Sequence, residues 1–106
     1  MAKYLARVSY TADGVKGLMK DKASGRRAAV AKLIESDGGK LEAFYFAFGA
    51  DDVISIVDIP SQAAAAAFSL AVNAAGMAQL SLTPLLSIED MDAAIAKSVT
   101  YRPPGR

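Results

Sequence analysis

The stretch Lys40–Pro60, KLEAFYFAFGADDVISIVDIP, decides the fold. Its first half is rich in aromatics and its second half in β-branched residues, and both compositions favour a pleated strand. Between them lies Gly49-Ala50-Asp51-Asp52, a short polar interruption read as a hairpin turn in which Gly49 is free to take a positive φ. Two neighbouring antiparallel strands follow. Both are apolar on both faces: Ala43, Tyr45 and Ala47 oppose Phe44, Phe46 and Phe48, and Ile54 and Ile56 oppose Val53 and Val57.

The flanking segments complete the pattern. Upstream, KYLARVSY alternates Tyr4, Ala6, Val8 and Tyr10 against Lys3, Leu5, Arg7 and Ser9, the period of a strand. Thr11 is placed to cap a helix that carries Val15, Leu18, Met19, Val30, Leu33 and Ile34 at helical spacing. The polar middle KASGRR is a place for that helix to kink, and Gly38-Gly39 ends it. Downstream, Pro60 closes the third strand and Ser61 caps an alanine-rich helix that ends near Gly76. AQLSLTPLL alternates again, and SIEDMDAAIAKS opens a short last helix with a capping-box-like Ser87 and Asp90.

The predicted order is β-α-β-β-α-β with an extra C-terminal helix. That is an α+β, ferredoxin-like arrangement: a four-stranded antiparallel sheet with both main helices on one face. A chain of 106 residues holds one such domain, placed at 1–99, and YRPPGR forms an extended tail over 100–106. Helices cover one sheet face only, and the remaining face is too apolar to stay in water. The chain is therefore expected to pack that face on a second copy, giving a homodimer of the dimeric α/β-barrel kind with a cavity between the sheets.

Composition removes whole classes of function. There is no cysteine and no histidine, which excludes disulfides, thiolate chemistry, a Ser-His-Asp triad and ordinary zinc sites. No metal or cofactor is expected. Twelve basic and eleven acidic residues are spread along the chain, so no field attracts nucleic acid. Ile59–Ile88 lacks charge but is mostly alanine with polar breaks, so it is read as a buried helix and strand and not as a membrane span. The N-terminus has no apolar signal-peptide core, and the expected location is the cytoplasm.

Candidate ligand contacts are the polar members of the uncovered face: Arg7 and Ser9, Tyr45, Ser55, and Gln79, Ser81 and Thr83. An arginine turned inward recognises an anion, and hydroxyl and amide groups orient an apolar ligand. With histidine missing, acid-base work would fall to Asp51, Asp52, Glu42 or a tyrosine. Adjacent strand residues point to opposite faces, so Asp51 and Asp52 share a proton only if the turn redirects one of them.

SYTADGVKGLMKD, GGKLEAFYFAFGADDVISIVDIP, the alanine-rich segment after Pro60 and AKSVTYRPPG together resemble the GYD-domain family of small bacterial proteins. The resemblance spans nearly the whole chain and implies the dimeric α/β-barrel fold, without implying a reaction. The Gly-Tyr-Asp triplet that gives the family its name corresponds to Gly49-Ala50-Asp51, so the tyrosine is replaced by Ala50 and only Asp51 carries over as a carboxylate. The resemblance leaves three functions open: a small-molecule binder, a cofactor-independent enzyme of monooxygenase or isomerase type, and an oligomeric interaction module.

Overall fold

The computed structural model describes residues 1–106. In chain order the elements are β1 (Ala2–Tyr10), α1 (Ala12–Ser36), β2 (Lys40–Phe46), β3 (Val53–Ile59), α2 (Gln62–Ala74), β4 (Ala78–Leu85) and α3 (Ile88–Ala96). The four strands form one antiparallel sheet in the order β2-β3-β1-β4, the ferredoxin-like arrangement expected from the sequence. Each helix starts where a hydroxyl takes up a free amide. Gly14, Ala64 and Asp90 donate their N–H groups to the side chains of Thr11, Ser61 and Ser87.

Register sorts the faces. Tyr4 pairs with Val57, Ala6 with Ser55 and Val8 with Val53, and on the other side Ala6 pairs with Leu82 and Val8 with Leu80. These residues look toward the helices. The packed core gathers at one end of this face, where Ile34 of α1 and Ala65 of α2 meet Tyr4, Leu41, Val57 and Ile59. The opposite, open face carries Leu5, Arg7, Ile54, Ile56, Tyr45 and the polar side of β4. Leu41 pairs with Val57 but Ala43 with Ile56, so β2 carries a bulge at Glu42.

Two expectations about the connection between β2 and β3 change. β2 ends at Phe46, so Ala47 and Phe48 leave the strand and the connection runs from Ala47 to Asp52 as a loop longer than a tight hairpin turn. Gly49 does not adopt positive φ there; Gly38 and Gly76, which end α1 and α2, do. The expected kink in α1 is present: the helix is interrupted at Lys22, with φ 66° and ψ 165°. Beyond the break Val30 and Ala31 reach the core, whereas Val15, Met19 and Leu33 on the same predicted apolar stripe are exposed.

The fold buries little by itself. Only 11 of 106 residues are buried, and α3 has none, leaving Ile88 and Ile95 in water. No helix is long and apolar enough to cross a membrane.

Candidate functional site

The open face is organised in rows. Tyr45, Ile54, Arg7 and Ser81 stand side by side across all four strands, and the next row is Ala43, Ile56, Leu5 and Thr83. The β2-β3 half is apolar and the β1-β4 half is polar. On the polar half Arg7, Ser9, Gln79 and Ser81 line an open depression of about 540 Å³, with Asp51 from the 47–52 loop and Asn73 from α2 at its edges. Thr83 lies on the same face, one row along, and Tyr45 lies across the sheet on β2; neither lines the depression.

Ser55 is the exception among the expected contacts. It is 4% exposed and faces the helices, in register with Ala6 and Phe44, so it belongs to the covered side and cannot line a space between two sheets. The alternation of β3 allows no other placement once Val53, Val57 and Ile59 are buried.

The loop separates the two aspartates. The Asp52 carboxylate accepts the Tyr10 N–H at 2.8 Å, its own N–H donates to the Val8 carbonyl at 2.8 Å, and its carbonyl accepts from Ala47 at 2.8 Å. Ser9 adds a bond from its hydroxyl to the Ala50 carbonyl at 3.2 Å. Asp52 is thus the clasp that ties the loop to β1. Asp51 makes none of these bonds and is left half-buried beside Arg7's depression. They do not form a shared-proton pair.

Unequal substitution effects follow. Asp52→Ala is expected to lose about 2 kcal/mol of unfolding free energy, the scale of a hydrogen bond to a charged group. Asp51→Asn should stay within about 0.5 kcal/mol of wild type. Chemical denaturation of both variants checks this, and an unaltered Asp52→Ala curve would remove the clasp.

Sequence reasoning missed Asn73. Its amide accepts the Leu80 N–H at 2.8 Å and donates to the Leu80 carbonyl at 3.3 Å, satisfying backbone groups on the free side of the edge strand β4. An asparagine late in a helix gives no signal of such a partner.

At the other end of the open face Lys3 forms ion pairs with Glu42, which the β2 bulge presents, and with Asp58 at 3.1 Å. These bonds, Glu42's first and then Asp58's, hold the Lys3 ammonium above its ordinary value. A raised lysine stabilises the fold below its ordinary titration and loses that contribution as pH rises through the raised value. The melting difference between wild type and Lys3→Met is therefore expected to be flat from neutrality to about pH 10 and to shrink above it. A difference that shrank already near neutrality would contradict the assignment.

No group of three acidic side chains is placed to hold a metal ion. The model of the GYD domain family matches residues 4–95, from the first strand to within the last helix. No curated protein and no solved structure matches the chain.

Proposed function

The chain belongs to the GYD domain family, and from that premise we propose that it is a homo-oligomeric dimeric α/β-barrel protein that binds a small apolar or anionic ligand between two sheets. The observation that carries this reading is the open sheet face. It sets an apolar half, Tyr45, Ile54, Ile56 and Leu5, beside a polar depression around Arg7. Apolar residues of this extent call for a cover, and a second copy offers the same two halves.

Surface area supports a partner. The chain exposes 7553 Å², whereas a compact monomer of this mass exposes about 5,600 Å². The excess is larger than one partner's usual share of a stable interface, about 800 Å². Its radius of gyration, 16.9 Å, likewise exceeds the roughly 13 Å of a compact chain of this length. The exposed Ile88, Met91 and Ile95 of α3, with Val99 and Tyr101 of the tail, account for part of it and provide a further arm for assembly.

Within such a pair Arg7 fixes an anionic group, while Ser9, Gln79 and Ser81 supply hydrogen bonds. Asp51 is the carboxylate available for an enzymatic role, the second reading, because it is the aspartate of the loop left without a structural partner. The test is melting with benzoate as probe. Wild type is expected to gain several degrees at saturating benzoate, and Arg7→Gln to gain none. Equal gains in both proteins would exclude Arg7 as the anion contact.

A further inference from the structure

The helix-covered face is not uniformly filled. Bordering the packed core, a cavity of about 90 Å³ lies between the sheet and the two main helices, walled by Ala6, Val8, Val30, Phe44, Val57 and Phe68 among others. Apart from the Tyr10 phenol, its only polar lining groups are Ser55 on the sheet floor and Arg26 from α1. Ser55 is 4% exposed and sets a hydroxyl group among the apolar walls of this space. It is the one polar side chain that β3 contributes to the walls of this space.

Arg26 connects this cavity to the surface. It lies just past the break at Lys22, is held only by a loose pair with Asp21 at 3.6 Å, and keeps about a third of its side chain exposed, 35%. It also lines a larger cleft of about 380 Å³ between α1, α2 and the start of β4. The two spaces share Tyr10, Arg26, Leu33, Val72 and Ala78 as walls, and together they fall within the usual range of small-molecule sites, about 300–1,000 Å³.

We propose that this gap is a second binding site, inside a single chain, for a small apolar carboxylate. The apolar body enters between Val30, Phe44 and Phe68. The carboxylate sits on the Arg26 guanidinium at the mouth, displacing Asp21, and the Ser55 hydroxyl meets a polar atom or the ring edge of the body. The site faces away from the open sheet surface and needs no partner subunit.

Phenylacetate is the probe. It is titrated into the full chain while backbone amide shifts are followed by nuclear magnetic resonance, in wild type and in Ser55→Ala, Arg26→Gln and Arg7→Gln. The expected result is saturable shifts clustered at Val30, Phe44 and Phe68, with the dissociation constant about tenfold weaker in Arg26→Gln, weaker in Ser55→Ala, and unchanged in Arg7→Gln. Ser55→Ala, which removes a single hydroxyl and leaves the strand intact, is expected to fold with a melting temperature close to wild type. Absence of shifts at millimolar phenylacetate would overturn the site. So would shifts confined to Ser9, Gln79 and Ser81, which would leave the inter-sheet reading standing alone, and so would equal affinity in Arg26→Gln and wild type.

Discussion

Gly14→Ala is expected to lower the melting temperature by roughly 10 °C, a loss of about 2 kcal/mol. A Cβ at this position would stand 2.0 Å from the Met77 carbonyl oxygen and 3.1 Å from both the Met77 carbonyl carbon and Tyr10 Cδ1. The obstacle cannot step aside cheaply. The Met77 oxygen already accepts the Thr11 N–H at 3.0 Å and the Thr11 hydroxyl at 3.1 Å, so moving it breaks the joint between the start of α1 and the start of β4. Alanine gains about 1 kcal/mol over glycine in a helix interior, but overpacking against backbone costs up to about 3 kcal/mol or more, and the clash wins. Gly17, one turn on, has nothing within 4 Å of its would-be Cβ. Gly17→Ala should therefore raise stability by up to about 1 kcal/mol, and the opposite signs of the two changes are the test. A Gly14→Ala protein melting with wild type would refute the close approach.

Ile54→Lys is expected to weaken self-association about a hundredfold, the effect of losing roughly 2.7 kcal/mol at an interface centre. Ile54 lies on the open face of β3, 39% exposed, between Tyr45 and Arg7. In the single chain a lysine there reaches water along its own stem, so the fold itself should be little affected. Against a second sheet it would place a charge in an apolar contact and next to Arg7, with a like charge as its nearest row partner. Light scattering over a concentration series gives the mass of each protein. Wild type is expected at twice the chain mass or a multiple of it. Shortening the chain after Leu86 should also weaken association while leaving the single-chain melt near wild type, because α3 buries no residue of its own. A wild type that stays monomeric at high concentration, or an Ile54→Lys protein of unchanged mass, would refute the face-to-face pairing.

The two aspartates show how far local reasoning reaches. Asp51-Asp52 is recognisable as a polar interruption between strands, and the strand period alone argues against a paired dyad. Which of the two is structural depends on Tyr10 and Val8, some forty residues earlier in the chain, whose backbone meets Asp52 only because β1 lies beside β3. The same is true of Asn73, whose partner Leu80 belongs to the next strand.

By itself the sequence determined the element order, the three helix caps, the break within α1 and the absence of histidine and thiol chemistry, because each rests on nearby residues or on composition. Tertiary structure alone decided which face of each strand the helices would cover. A period of two states that Ser55 sides with Val53 and Val57, but it is symmetric between the faces, and only the landing of α1 and α2 on that side makes Ser55 part of the helix-covered side and not a contact on the open sheet. The close approach at Gly14 and the loop clasp at Asp52 are non-local for the same reason: their partners are brought in by the fold.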